Sequence, residues 1–462
     1  MEDFIFAPIV LIIGLGVHAL VLRRHSPPEA KILNAAFALH MASGVGQVLL
    51  VKYYFAGGGD MLGYFETAVP MADAMRSDFG TFFPAAIQGL FRAEEFSAPI
   101  EFMPGGGSTQ SMSAISIILL FLVGNSLYAA VLALSVSSYV SKVLVYRAIA
   151  DDFDPALRPY VLIGATMLPT AAFWSCGLLK EPVVMSMIGP AVLGLRWFAR
   201  GYRRGAAVAM VAGSAVIISV IKPYVLMALS IAAALFYFWS RLFSSDSATL
   251  KPFALITAVA LGTGGFVLGN RFFVKADNES ATASFAKQRQ SGVGIEGGSN
   301  FSIEGGPAEG EEVVDRGVAG ELLLAPFALF TALFRPMIFE ARNAVQLANA
   351  LEATVLLVLF LQILRERGLG GLFRAIRSSP TLLFCAVFTL ALALGTGLAS
   401  TNMGTLSRYR APMMPFFFIL LMVLRFEKEA LRRADLALKP AGESRSPALL
   451  VALPAAVPAP PT

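Results

Sequence analysis

The sequence predicts an all-α, polytopic membrane protein, and three observations predict it. Hydrophobic residues make up 56% of the 462-residue chain and charged residues only 15%, a balance too apolar for a soluble globular domain. Apolar runs of roughly 17 to 25 residues, the length an α-helix needs to cross a bilayer, recur along the chain. Lysine and arginine gather in the short connections between those runs, as the positive-inside rule expects. The net charge of +5 is therefore a topology signal and gives no support to a nucleic-acid partner.

Taken in order, the chain begins Met1-Glu2-Asp3, acidic where a cleavable signal peptide carries its basic region, so 4–22 reads as a retained first span. Further apolar segments fall at 32–55, 125–147, 159–177, 182–199, 205–221, 224–241, 252–270, 344–364, 380–398 and 411–426, which makes about eleven transmembrane helices. Alternate connections are basic: Arg23, Arg24 and Lys31, then Arg147 and Arg158, then Arg196, Arg200, Arg203 and Arg204, then Arg241 and Lys251, then Arg365, Arg367, Arg374 and Arg377. With these facing the cytoplasm, the N-terminus lies outside and the C-terminus inside.

Residues 1–426 then form one transmembrane domain, followed by a Pro- and Ala-rich cytoplasmic tail, 427–462, that reads as disordered. Two long loops face out. In 56–112, Phe79, Phe82, Phe83, Leu90, Phe91 and Phe96 interleave with charge and Pro84 and Pro99 interrupt, the pattern of amphipathic helices lying on the membrane. The following stretch, 113–123, reads equally as a re-entrant helix or as part of a span. The loop 271–343 is rich in Gly, Ser, Glu and Ala from Lys275 to Gly320 and reads as a flexible segment able to order over a ligand. Cys176 and Cys385 lie in or beside apolar segments without metal-ligand spacing, which excludes a disulfide framework.

Polar chemistry concentrates at one membrane face. Gly57-Gly58-Gly59 bring the backbone close to whatever Asp60 faces, with Tyr64 and Glu66 following in the same stretch. On the topology above, Lys180, Lys222, Arg408 and Arg410 occupy short outer connections, where cations are thinned by the positive-inside bias, and Arg335 and Arg342 join them from the second loop. Lys180-Glu181-Pro182, Lys222-Pro223 and Arg408-Tyr409-Arg410-Ala411-Pro412 each set cations just ahead of a helix. A cation at a helix N-terminus is disfavoured by about 0.3–1 kcal/mol, a sign that a bound phosphate reverses. Asp60, Glu66, Glu181 and Glu340 add carboxylates at the same level. Ionisable groups at membrane depth mark a pathway or a site, and this mixture suits an anionic substrate with a general base or a divalent metal.

The same residues also have plainer readings. Asp60 fits a turn or helix N-cap, Lys180 with Glu181 an interfacial pair, Arg408 and Arg410 a lipid headgroup contact, and His18 and His40 packing positions in the first two spans. No His-x-Glu, Cys-x-x-Cys, Walker or Gly-x-Ser-x-Gly pattern occurs.

Three segments carry a family resemblance: Gly59-Asp60-Met61-Leu62-Gly63-Tyr64, an Asp-x-x-x-Tyr element; Leu168 to Glu181, where an acid opens a later span; and Arg408-Tyr409-Arg410-Ala411-Pro412-Met413-Met414-Pro415, an Arg-x-Arg-x-Pro element. In order and sidedness the chain resembles the GT-C superfamily of integral-membrane glycosyltransferases, in particular bacterial members that use polyprenyl-phosphate-linked sugars. It departs from them in having a single Asp60, with Met61 beside it, where an acidic pair is usual, and in an additional span before the loop. The resemblance implies that Asp60 acts as catalytic base or metal ligand, with Mg2+ or Mn2+ as the candidate cation. It implies further that Glu181 assists, and that Lys222, Arg408 and Arg410 hold the lipid phosphate. Tyr64, Lys180 and Arg335 complete the expected phosphate or substrate contacts, with Glu66, Glu340 and Arg342 as secondary candidates.

The expected activity is transfer of a sugar from a polyprenyl phosphate to a glycan, lipid or protein acceptor at the outer face of the bacterial inner membrane. A polysaccharide polymerase or ligase using a lipid-diphosphate-linked glycan, and a non-enzymatic transporter or scaffold of envelope polysaccharide assembly, are the alternatives.

Overall fold

The computed structural model describes residues 2–55, 58–105, 107–242, 289, 301 and 317–438, and they are helical almost throughout. The first part runs α1 (Glu2–Leu22), α2 (Pro27–Leu49, ending in a π-helical turn at Leu50–Tyr54), α3 (Asp60–Ser77), α4 (Phe79–Leu90), α5 (Gly107–Val123) and α6 (Leu127–Ile149). Next come α7 (Arg158–Thr166), α8 (Pro169–Trp174), α9 (Lys180–Ala199), α10 (Arg204–Ile221) and α11 (Pro223–Leu242). The last part comprises α12 (Gly317–Leu323), α13 (Ala325–Phe334), α14 (Ala344–Ser378, interrupted at Gly368), α15 (Pro380–Ala399), α16 (Met403–Tyr409) and α17 (Met414–Leu438).

Seven of these helices are long and apolar enough to cross a membrane, and α16 with α17, bent by 73°, makes an eighth if counted as one span. The sequence predicts eleven spans, and three of its segments account for the difference. The segment 252–270 lies outside the described residues. The segment 159–177 is broken into α7 and α8, because Pro169 cannot continue the helix that ends at Thr166. The segment 224–241 forms α11, a 20-residue helix whose last four side chains lie outside the described residues. The stretch 113–123 belongs to α5, a continuous 17-residue helix. The chain is helical through 427–438, with Ala430 buried, so the expected disorder does not hold for that part of the tail; 439–462 lie outside the described residues.

Helix α6 is central, packing on α1, α2 and α9, while α9 also packs on α10. Small residues permit the close approaches. A side chain at Gly189 of α9 would strike the Ser141 carbonyl of α6, and the Gly189 N–H donates to Ser141 Oγ at 2.8 Å. A side chain at Gly164 of α7 would lie 2.6 Å from the Ile419 Cα of α17. Helices that share a bilayer gain little from hydrophobic transfer between them, and such backbone approach supplies the dispersion that holds them. Helices α3, α4 and α5 pack together beside this bundle, with Asp78 closing α3 and capping α4 through Thr81 N–H at 3.1 Å.

Gly164→Leu lowers stability by about 1–3 kcal/mol, because the Ile419 backbone cannot retreat from the added side chain. Gly213→Ala in α10, where nothing lies within 4 Å of the added methyl, leaves it unchanged or slightly raised. Thermal unfolding in detergent micelles distinguishes the two.

Candidate functional site

Four helix ends meet at one end of the bundle. Asp60 is the first residue of α3, preceded by Gly59 at φ 108°, a backbone that L side chains rarely adopt. Lys180 and Glu181 open α9. Lys222 closes α10, its N–H bonded to Ile218 O at 2.8 Å, one residue before α11. Arg408 lies in the last turn of α16. The position of Lys222 revises the expected penalty: it sits at a helix C-terminus, where the macrodipole favours a cation, as does Arg408.

The side chains converge on Glu181, which has no solvent exposure. Its Oε1 accepts from Lys222 Nζ at 2.5 Å and from Arg408 Nε at 2.9 Å. The same guanidinium reaches outward through Nη1 to Asp60 Oδ2 at 2.7 Å, so Arg408 bridges the two carboxylates. The Tyr409 ring covers Lys222, with Nζ 4.2 Å from its centroid, a cation–π contact strengthened by burial. Lys180 has no carboxylate partner among the described residues; its Nζ donates to Ser108 Oγ and Thr109 Oγ1, each at 3.0 Å, at the start of α5. Three cations against two carboxylates leave the cluster with one net positive charge.

Tyr64 lies one turn after Asp60, on the same face of α3. Burial pushes its phenol well above the usual range and the Asp60 charge pushes it further, so it stays a neutral hydrogen-bonding group beside Thr109. Two buried polar atoms here, Glu181 Oε2 and the Tyr224 hydroxyl, have no hydrogen-bond partner among the described residues.

Asp60, Tyr64, Lys180, Glu181, Lys222 and Arg408 therefore meet, and the other expected residues lie apart. Arg410, two residues beyond Arg408, is fully buried and turns to the end of α13, donating from Nη1 to Arg335 O at 2.6 Å. Arg335 pairs with Glu340, Nε donating at 2.9 and 3.1 Å to its two oxygens, and its guanidinium covers the Phe301 ring at 4.5 Å. Arg342 and Glu66 are exposed. Ser108, Thr109, Tyr224 and Tyr409 are not among the residues the sequence singles out. The signal for the first two is a pair of hydroxyls directly after the sequence Gly105-Gly106-Gly107.

The donor set does not fit a divalent cation. Among the described residues no three His, Cys, Asp or Glu side chains gather to hold a metal. Asp60 and Glu181 each already commit an oxygen to Arg408, and three cations surround them.

Fold and site together define a class: an all-helical polytopic protein with a partly desolvated, net-cationic ion cluster at one end of its bundle. No family model, curated protein or solved structure matches the chain.

Glu181→Ala strands Lys222, leaves Arg408 only the more exposed Asp60, and lowers stability by about 3–5 kcal/mol. Asp60→Ala, at a carboxylate 39% exposed, changes it by about 0–1 kcal/mol. Equilibrium unfolding of the two variants in micelles measures the difference. A second check uses pH. Burial alone raises the Glu340 carboxyl, but hydrogen bonds from Arg335 and the Met337 N–H outweigh it and hold the group below its ordinary 4.5. Its stabilisation is complete above that pH and is lost as pH falls through the lower folded value. The gap in melting temperature between the wild type and Glu340→Gln therefore holds from neutrality down to about pH 4.5 and closes below it.

Proposed function

We propose that the cluster binds the phosphate of a lipid-linked sugar and transfers the sugar, with inversion, to an acceptor hydroxyl. The observation that carries the reading is Arg408 bridging Asp60 and Glu181, with Lys180 and Lys222 beside it. The acceptor oxygen attacks the anomeric carbon and its proton passes to Asp60 as general base. The bond from that carbon to the phosphate oxygen breaks, and the electron pair leaves with the phosphate, held by Arg408, Lys222 and Lys180. The buried Glu181 keeps Lys222 and Arg408 in place.

A net charge of one matches a phosphodiester monoanion better than a diphosphate, which favours a polyprenyl-phosphate-linked sugar over the diphosphate-linked glycan of a polymerase or ligase. On this reading the site faces outward across the bacterial inner membrane, with the N-terminus outside and the C-terminus in the cytoplasm, as the basic connections suggest. The acceptor is a glycan, lipid or protein of the envelope.

The broken span α7–α8, with Lys142 and Glu352 lying within neighbouring spans, favours a second reading, a transporter of an anionic lipid or solute. Reconstituted protein given labelled polyprenyl-phosphate sugar separates the two. Covalent transfer that falls about 10²- to 10⁴-fold in Asp60→Asn supports the enzyme. Full activity in that variant removes the role of Asp60, and uptake without covalent product favours the transporter.

A further inference from the structure

The segment that delivers Lys180 and Glu181 is itself a six-residue helix, α8, far shorter than one that holds together unaided. Side chains from three other helices close its two ends. At the start, Thr170 N–H donates to Glu352 Oε2 of α14 at 2.7 Å and the Thr170 hydroxyl donates to Glu352 Oε1. At the end, Lys142 Nζ of α6 donates to Ala171 O at 2.9 Å and to Ser175 Oγ at 2.7 Å, and Gln47 Nε2 of α2 donates to Phe173 O at 2.8 Å. An anion thus sits at the N-terminus of α8 and a cation at its C-terminus, the arrangement the peptide dipoles favour.

Lys142 is buried and its third N–H points to His40 Nε2 at 3.0 Å. His40 Nδ1, 2.7 Å from Ala36 O, must carry the ring proton, so Nε2 is free to accept. All three ammonium protons are satisfied, none by a carboxylate.

After α8 the chain turns at Gly177, φ 90°, where a side chain would strike the Gln47 amide and approach Met61 to 3.0 Å. Met61 is the neighbour of Asp60. The turn is therefore wedged between α2 and α3, and the placement of α8 fixes where α9 begins relative to Asp60.

We propose that Lys142 and Glu352 are positioning residues: two charges within membrane spans that clamp α8 at its ends and thereby hold Lys180 and Glu181 in register with Arg408, Lys222 and Asp60. Only the consequence for rate rests on the glycosyl-transfer reading; the geometric consequence is independent of it.

The chain carries its own reporter. Cys176, in the turn between α8 and α9, is buried, with its thiol on His40 O at 3.3 Å and Ala172 O at 3.1 Å. The sequence contains two cysteines, so Cys385→Ala leaves Cys176 alone. In that background, N-ethylmaleimide modification of the full-length protein in micelles is followed for Lys142→Met and Glu352→Gln. It is compared with Gly164→Leu, studied at a temperature giving the same distance below its melting point. Release of the clamp speeds Cys176 modification by about tenfold or more over that comparator, through local opening of α8. Modification no faster than in Gly164→Leu overturns the proposal and leaves the two charges a role in general stability. Glu352→Gln removes charge at nearly constant shape, so its modification rate decides the matter if Lys142→Met does not insert. With a turnover assay, kcat falls in both variants while the KM for the labelled lipid-linked sugar changes less. Rapid Cys176 modification in a protein whose wild type transfers no sugar upholds the clamp and overturns the functional reading instead.

Discussion

Everything at the cluster follows from placing the carboxylate of Glu181 out of reach of water. An ionised group that loses its hydration is tolerated only with partners of opposite charge in good geometry. Here the partners are the ammonium of Lys222 at 2.5 Å and the Nε of Arg408 at 2.9 Å, both on one oxygen. Neither is near Glu181 in sequence. One closes α10 and the other ends α16, so satisfying a single carboxylate ties three segments together and sets the ends of the helices that carry them.

The same rule, applied to backbone instead of side chains, organises much of the remainder. Inside a bilayer an interrupted helix leaves carbonyls and amides that no solvent can satisfy. The chain meets each of several interruptions with a charged side chain from elsewhere. Glu352 and Lys142 close the ends of α8, and Arg410 reaches the carbonyls at the end of α13. Charged residues within apolar segments therefore have at least two distinct uses in this protein, and position in a span does not by itself tell which. The cluster at Glu181 differs from the backbone-capping charges in gathering three cations and two carboxylates in one place.

Much of the helical architecture and part of the site are legible in the sequence because they depend on local signals. Apolar run length locates the spans, and cations ahead of prolines mark Lys180, Lys222 and Arg408. What escapes depends on contacts between distant segments. Lys142 disappears within a 23-residue helix whose average remains apolar, and its partner His40 reads from sequence as a packing residue. Glu352 escapes for the same reason, one acid in a long apolar helix. Arg408 and Arg410 group together by their closeness in sequence, yet positions two apart on a helix do not face the same way. That spacing alone argues against a shared ligand. Pro169 is visible as a helix breaker, but the length of 159–177 favours one span, and only the partners at both ends of α8 make the break stable.

The two ends of Arg408 differ in a way that bears on how such a site works. Its Nε is locked to Glu181, which has no exposed surface, while its Nη1 holds Asp60, whose side chain is 39% exposed. A pair open to solvent is worth about 0–1 kcal/mol, whereas removing one partner of a buried pair is penalised by about 3–5 kcal/mol. On the proposed reading, an anion arriving at the cluster displaces Asp60 from the guanidinium and leaves Glu181 in place. Under the glycosyl-transfer reading that exchange has a chemical result. Phosphate takes the outer face of Arg408 and frees the Asp60 carboxylate from the guanidinium at the moment an acceptor hydroxyl must give up its proton. The inner pair keeps the guanidinium oriented throughout. A single arginine between a buried and an exposed carboxylate thus couples donor binding to activation of the base, which two independent ion pairs would not do.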